Sequence, residues 1–153
     1  MRIVEFFLKN VHSEEVQNHS MWALSYFSDG SDAQIKAVLE MDVQDKVLDF
    51  VRSDNPALKA PGLRTAGNLV TGKDEFTEKM IQAGLIEALA KSLRDEKKIF
   101  RKEACWALSN ILAGKATHIE EVFNYNNREI LNTLFHMIYN DDKDVSFSSK
   151  RIF

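Results

Sequence analysis

The chain has 153 residues, of which 44% are hydrophobic and 28% charged, so it is large enough for one domain with a continuous core. Its net charge of −3 argues against a general nucleic-acid-binding surface, because such surfaces need clustered basic residues. No apolar stretch reaches the roughly 18 residues of a membrane span, and the single cysteine, Cys105, excludes an intramolecular disulfide. We therefore expect a protein of the cytoplasm and nucleus that binds neither nucleic acid nor membrane.

The first predicted helices are an apolar segment, residues 3–9, and the longer segment 13–28. The apolar segment is too short for the core of a secretory signal, and Glu5 interrupts it. It leaves IVEFFL (3–8) as an apolar edge, whereas the ends of a stacked array are normally polar. We expect either that the chain is a piece of a longer one or that its ends self-associate or bind another molecule.

Helical patterns continue through the rest of the chain. Pro56 is tolerated in the first turn of the next long helix, and Pro61 predicts a bend within it. Gly84 stands where a helix C-cap favours glycine. The clearest run of three successive helices is predicted at 74–84, 85–95 and 97–114. The last predicted helices are 129–140 and an incomplete 142–153.

One nine-residue phrase occurs three times at a fixed interval of 42 residues. Its copies are WALSYFSDG (22–30), RTAGNLVTG (64–72) and WALSNILAG (106–114). Apolar positions further downstream keep the same register, and three helices in about 40–47 residues are typical of armadillo and HEAT repeats. The predicted fold is therefore all-α: a right-handed armadillo-repeat superhelix, or α-solenoid, of about three and a half repeats.

The expected domain organisation is a single array over residues 1–153. Its predicted divisions are a partial repeat 1–30, two repeats 31–72 and 73–114, and a partial repeat 115–153.

The third copy of the phrase has the chemistry of a peptide-binding surface. Trp106 and Asn110 lie one turn apart on the same helix face, and Glu103 lies one turn before Trp106. Tryptophan provides an apolar wall for a lysine or arginine stem, asparagine can pair with peptide N–H and C=O groups, and the carboxylate can receive the cation. The predicted ligand is an extended, basic peptide.

Other interpretations of the same residues are structural. A repeated tryptophan is more often part of a core than of a ligand site, whereas a buried asparagine would be left unsatisfied. Cys105 is expected in the core, and no catalytic motif, phosphate loop or metal-ligand spacing is found, so we expect neither an enzyme nor a cofactor. Four histidines are expected at the surface or as helix caps: His12, His19, His118 and His136.

Three segments strongly resemble consecutive repeats of the importin-α (karyopherin-α) family, the armadillo receptors for nuclear localisation signals. They are SMWALSYFSDG, LRTAGNLVTGKDEFTEKMI and RKEACWALSNILAGKATHIEEV, and the resemblance covers roughly residues 13–125. It implies a non-catalytic adaptor that binds basic cargo peptides for import into the nucleus.

The resemblance also implies a role for each matching position. The far end of the larger, major signal site would be formed by Trp22 and Tyr26. The stretch between the two sites, where the linker of a bipartite signal passes, would contain Arg64 and Asn68. The smaller, minor site would begin at Trp106 and Asn110, with Glu103 as acidic partner. The smaller basic cluster would be seated by Val70, Asp74 and Thr77.

Several departures from the family pattern weaken this expectation. The sequence shows neither the family's basic segment that binds importin-β nor the earlier repeats that hold most of the major site. The next Trp/Asn pair is replaced by Ser148 and Ile152, and His19 stands where an acidic residue commonly precedes the first tryptophan. We therefore expect weak signal binding. The alternative is an armadillo scaffold for protein interactions that has lost signal binding.

Overall fold

The computed structural model describes residues 1–152, and this part of the chain contains eleven α-helices and no β-strand. The helices are α1 Arg2–Asn10, α2 Glu14–Ser28, α3 Asp32–Leu39, α4 Gln44–Arg52, α5 Pro56–Leu69, α6 Asp74–Gln82, α7 Leu85–Ser92, α8 Lys98–Leu112, α9 Ala116–Asn124, α10 Glu129–Asn140 and α11 Lys143–Lys150. Each predicted helix is found within about two to three residues of its expected ends, a scatter typical of helix termini. Phe153, the last residue of the predicted 142–153 helix, lies outside the described residues.

Local sequence signals explain where several helices begin. The Asn55 side chain accepts a hydrogen bond from the Ala57 amide at 2.9 Å, and Pro56 follows it at the first helical position of α5. Gly84 separates α6 from α7 with a φ of 100°, which a residue with a side chain rarely adopts, so the predicted glycine cap is confirmed. Pro61 is buried inside α5, which continues through it as one helix; the bend stays a prediction.

Helices α2, α5, α8 and α11 pack side by side as one layer, and helices α4 and α7 pack behind α5 and α8 as a second. The core is continuous along this stack. Positions 42 residues apart are buried together: Met21, Leu63 and Cys105 in one column, and Leu24, Ala66 and Leu108 in the next. The 42-residue register is therefore a packing register, in which each helix buries the same face against its neighbours. The predicted repeat boundaries themselves stay a prediction.

Cys105 lies in this core, as expected, and its Sγ is 3.5 Å from the Ser149 Oγ. Burial raises the pKa of the Cys105 thiol to about 11. We expect iodoacetamide at pH 8 to alkylate the folded chain at least about 100-fold more slowly than the unfolded chain, because the thiolate is the nucleophile. Mass spectrometry with and without denaturant measures both rates. Similar rates in the two states would contradict the buried position.

His118 corrects one prediction. It was expected at the surface or at a cap, but it is fully buried in α9, and its Nε2 lies 3.2 Å from Glu78 Oε2 on α6. The reason is the register: His118 lies 42 residues after Phe76, which packs in the core of the preceding repeat. The other three histidines are exposed, as expected.

The apolar edge predicted at residues 3–8 is present in α1. Ile3 is 70% exposed and Phe6 is 56% exposed, whereas Leu8 packs into the core. An exposed apolar face of this kind is typical of an interaction surface. Self-association through this face stays a prediction.

Candidate functional site

The repeated phrase places a column of large side chains along one face of α2, α5 and α8. Trp22 and Trp106 are half-buried, and Arg64 between them is exposed. The two columns that begin at Met21 and Leu24 on the same helices are fully buried. The column of Trp22, Arg64 and Trp106 therefore marks the boundary between the core and the solvent. Neither tryptophan is fully buried, so neither belongs to the two core columns, and their role in binding a ligand stays a prediction. We refer to the face that carries Trp22, Arg64 and Trp106 as the groove face.

Trp106 lies against the backbone of the preceding long helix. A Cβ atom on Gly67 would come within 2.2 Å of the Trp106 Cζ3 atom, so only glycine leaves room for the ring in this position. From the same helix, the Arg64 guanidinium carbon lies 5.3 Å from the Trp106 ring centroid, which is cation–π geometry. α5 thus contacts Trp106 at both Gly67 and Arg64.

Glu103 completes this cluster from α8. Its Oε1 accepts a hydrogen bond from Arg64 Nη2 at 2.7 Å, and its Oε2 is buried without a hydrogen-bond partner in the described structure. Burial raises the pKa of the Glu103 carboxyl, and the nearby Arg64 guanidinium opposes that rise. Trp106 and Glu103, two of the predicted binding residues, therefore lie close together. The cationic group that contacts both of them is Arg64 of the chain itself.

The two asparagines of the phrase tie neighbouring helices together. Asn68 Nδ2 donates to the Ser25 carbonyl oxygen at 2.8 Å, and Asn110 Nδ2 donates to the Gly67 carbonyl oxygen at 3.2 Å. Ser25 and Gly67 are themselves 42 residues apart, so the same hydrogen bond is made twice. The expectation that burial would leave such an asparagine unsatisfied is wrong, because the preceding repeat supplies the acceptor. Asn68 is buried, whereas Asn110 is half-exposed on the groove face.

One small cavity brings together four of the predicted binding residues. It has a volume of about 180 Å³ and lies where α5 and α8 end and α6 begins. Its walls include Val70, Asp74, Thr77 and Asn110. The carboxyl ends of α5 and α8 carry partial negative charge and the amino end of α6 carries partial positive charge, while the Asp74 carboxylate adds a full negative charge. The cavity therefore suits a cation with hydrogen-bond donors, such as a lysine ammonium group.

The predicted residues of the first copy lie apart from this cavity, on α2. The Trp22 and Tyr26 rings stack with centroids 6.0 Å apart, and Tyr26 is 73% exposed. A second cavity, of about 130 Å³, connects Trp22 with Arg64 and Glu103. Nine of the ten predicted residues thus fall into three groups: the α2 aromatic pair, the Arg64 cluster and the cavity at Asp74. The tenth, Asn68, is buried between α5 and α2.

Beyond Trp106 the column has no further aromatic ring in the described structure. Its next position is Ser148, whose hydroxyl donates to the Asp144 carbonyl oxygen within α11 at 2.9 Å. Within residues 1–152, no helix combines the length and apolar character that crossing a bilayer requires. The same residues contain no group of histidine, cysteine or acidic side chains suited to holding a metal ion.

Comparison with known proteins agrees with this architecture. The family model "Armadillo/beta-catenin-like repeat" matches residues 73–113. Importin subunit alpha-1a of Oryza sativa subsp. japonica is 41% identical over 117 residues, which are 74% of this chain and 22% of that protein. Importin subunit alpha-4 of Arabidopsis thaliana is 38% identical over 131 residues, which are 85% of this chain and 24% of that protein. The chain thus spans about a quarter of the length of these relatives, or less.

Solved structures show the same fold at lower sequence identity. A designed armadillo repeat protein in complex with the peptide (KR)4 matches with a TM-score of 0.89 and 22% identity, over 97% of this chain and 61% of that one. A structure of computationally designed armadillo repeat proteins for modular peptide recognition matches with a TM-score of 0.88 and 21% identity, over 97% of this chain and 61% of that one.

The stacked three-helix units, the sequence family and the solved structures define the class: an all-helical armadillo-repeat solenoid, as predicted. Within that class, the chain is a relative of the importin-α subunits, and the resemblance recognised in its repeated phrases is confirmed.

Proposed function

We propose that the groove face binds extended, basic peptides of the nuclear-localisation-signal type, and that the chain serves as a non-catalytic adaptor for import into the nucleus. The observation that carries the proposal is the cavity at Asp74, whose walls bring Val70, Thr77 and Asn110 together with the Asp74 carboxylate. The importin-α relatives support a protein-binding role in nuclear import, which implies movement between cytoplasm and nucleus. A carrier of the importin-β type belongs to the same proposal.

In this proposal the cavity at Asp74 takes one lysine of the peptide. The lysine ammonium would pair with the Asp74 carboxylate and with the Thr77 hydroxyl, while Val70 would contact its methylene stem. Asn110, already held by Gly67 through its amide N–H, would present its side-chain oxygen to a peptide N–H.

The aromatic side chains would hold the peptide on either side of Arg64. The exposed edge of the Trp22–Tyr26 pair and the exposed part of the half-buried Trp106 ring would each offer an apolar wall to a basic side chain. That a designed protein of the same fold binds (KR)4 supports this arrangement, because it shows that an armadillo surface can accept alternating lysine and arginine.

Replacing Asp74 by asparagine tests the cavity. We expect D74N to weaken the binding of a fluorescent bipartite lysine/arginine peptide by about three- to tenfold, because one charge-assisted contact becomes a neutral one. Fluorescence anisotropy at low salt measures the Kd.

The matched control for this experiment is Asp45→Asn. Asp45 is also an exposed acid in the first turn of a helix, but α4 lies in the second layer, away from the groove face. D45N changes the net charge and the charge at a helix amino end in the same way as D74N does. Because Asp45 lies away from the groove face, D45N is expected to leave the Kd within about twofold. Equal losses in the two variants would show that the peptide responds only to net charge.

The scaffold alternative makes the opposite prediction for the wild type. A chain that has lost signal binding would show no saturable binding of the basic peptide at low salt.

A further inference from the structure

His118 lies next to the cavity at Asp74, in the first turn of α9, and is fully buried. Gly114 lines the cavity and stands between the two side chains. The point where a Cβ atom on Gly114 would stand is 3.0 Å from His118 Nδ1 and 3.2 Å from Asp74 Oδ1. These two atoms are therefore no more than about 6 Å apart, a separation at which one charge strongly affects another.

The Nδ1 atom of His118 is buried and has no hydrogen-bond partner in residues 1–152. Hydrogen bonds from Lys115 and from His118 lower the pKa of the Glu78 carboxyl, so Glu78 is ionised near neutral pH. Because a carboxylate only accepts, the His118 Nε2 atom, 3.2 Å from Glu78 Oε2, carries a hydrogen, and Nδ1 of the neutral ring has none. The ring therefore has one open position for a proton, at the atom that lies nearest to Asp74.

We propose that His118 is a positioning residue of the cavity at Asp74, and that protonation of its ring weakens the binding of a lysine side chain there. A protonated ring places a cation close to the carboxylate that is to receive the lysine ammonium, so two cations compete for one negative charge. Histidine suits this role because its charge changes between about pH 5 and pH 8, where lysine and arginine stay charged. The inference rests on the proposed function, because it concerns a lysine held in this cavity.

The groups that contact His118 can accommodate a protonated ring. Glu78 and Asp74 on α6 supply two carboxylates, one on each side of the imidazole. Lys115, at the amino end of α9, is held by Glu78 at 2.9 Å. The partial positive charge at the amino end of α9 opposes protonation, but it is smaller than two full carboxylate charges. The balance of charge beside the ring therefore allows a proton at Nδ1.

The other charged side chains of the helices packed against α9 are directed elsewhere. α8 has no charged residue after Glu103, which lies more than two turns before the end of that helix. On α10, Glu129 is paired with Arg94 at 2.8 Å. The remaining charged residues of α9, Glu120 and Glu121, are exposed. The charge next to the ring is thus set by α6 and by the amino end of α9.

The test measures the Kd of a histidine-free bipartite lysine/arginine peptide at pH 8 and at pH 5.5, by fluorescence anisotropy with a dye that does not titrate in this range. We expect the wild-type affinity to fall by about three- to tenfold at the lower pH, because one positive charge is added beside the cavity. In His118→Gln the fall should be about twofold or less, because the amide can still donate to Glu78 but takes up no proton.

Proton release provides a second readout, which a merely structural role of His118 would not change. Because the effects of proton and peptide on each other are reciprocal, a peptide that binds the unprotonated form must displace protons. Isothermal titration calorimetry at pH 6.5, in buffers of different ionisation enthalpy, should show that the wild type releases protons on binding. H118Q should release fewer.

His136→Gln is the matched control, since His136 is an exposed histidine on α10, and this variant is expected to keep the wild-type pH dependence. D74N is the second control. Its pH effect should fall to about twofold or less, because Asp74 both favours the proton and holds the lysine. Burial raises the pKa of the Glu103 carboxyl, and any effect of its titration would persist in H118Q and D74N. Thermal unfolding at both pH values checks that each variant is folded.

A pH effect that is lost in H118Q and D74N but kept in H136Q supports the proposal. An equal effect in the wild type and H118Q would show that another group titrates, and tighter binding at low pH would equally overturn the proposal. If H118Q does not fold, a wild type that releases no protons, or a full pH effect in D74N, overturns it. If the wild type binds at pH 8 and keeps that Kd at pH 5.5, only this inference fails. No binding at pH 8 would contradict the proposed function, and this inference with it.

Discussion

Replacing Trp106 and Asn110 together by alanine is expected to abolish binding of a bipartite lysine/arginine peptide, with a loss of at least about 30-fold in affinity. Trp106 provides the aromatic wall on α8, and Asn110 lines the cavity at Asp74. The wild-type binding is expected to weaken as salt is added, because it depends on charge pairs near the surface. Fluorescence anisotropy over a range of salt concentrations measures both effects.

This double change also affects the fold, and the experiment must separate the two effects. Losing the Asn110 hydrogen bond to the Gly67 carbonyl is expected to cost about 0.5–1.5 kcal/mol. Losing the contacts of the half-buried Trp106 ring is expected to cost about 1–3 kcal/mol more. Circular dichroism and thermal unfolding must therefore show that the variant is folded at the temperature of the binding measurement.

The chain offers a matched control, the double change of Tyr139 and Asn140 to alanine on α10. It also removes an aromatic side chain and an asparagine, but Tyr139 is 82% exposed, and the Asn140 amide donates to the His136 carbonyl oxygen of its own helix. This variant is expected to keep the wild-type Kd. Saturable binding that survives W106A/N110A would show that the peptide uses another surface.

Changing Gly67 to alanine is expected to destabilise the protein by about 1–3 kcal/mol, although the same change inside a helix ordinarily stabilises by about 0.5–1 kcal/mol. The reason is steric: the new Cβ would lie 2.2 Å from Trp106 Cζ3 and 2.7 Å from Cε3. The ring must move away from α5, which also disturbs its contact with Arg64. Urea unfolding of the two proteins measures the change in the free energy of unfolding.

A double-mutant cycle with Trp106→Ala makes this prediction sharp, because the sign of the effect should reverse. In the W106A background the three nearest obstructing atoms are gone, all of which belong to the indole ring. G67A should there stabilise by about 0.5–1 kcal/mol, as expected for an unobstructed helical site. A similar destabilisation in both backgrounds would show that the clash lies elsewhere and that Trp106 does not rest on Gly67.

Much of the fold follows from short-range patterns in the sequence. The long helices could be predicted because apolar residues recur with helical spacing, and the armadillo class could be predicted because the same phrase returns every 42 residues. The relation to importin-α subunits is carried by contiguous strings such as GNLVTG, which need no tertiary information to be recognised.

The composition of the cavity at Asp74 was partly predictable, since the resemblance pointed to Val70, Asp74, Thr77 and Asn110. The resemblance implied that Asn68 lies where the linker of a bipartite signal passes. In the structure, however, the Asn68 side chain is buried and its amide is turned toward Ser25. A sequence signal for this contact does exist: each asparagine follows a fixed acceptor position by 43 residues. That signal has meaning only once the stacking of the helices is known.

The sequence by itself determined the helices, the repeat period and the family, because these depend on contacts within a few residues or on direct repetition. Only the tertiary structure decided that His118 is buried, that the asparagines link neighbouring repeats, and that Arg64 pairs with Glu103. The partners in those contacts are 39 to 43 residues apart in the chain. Which side chains meet at such separations depends on how one repeat stacks on the next, and local helical periodicity carries no record of that geometry.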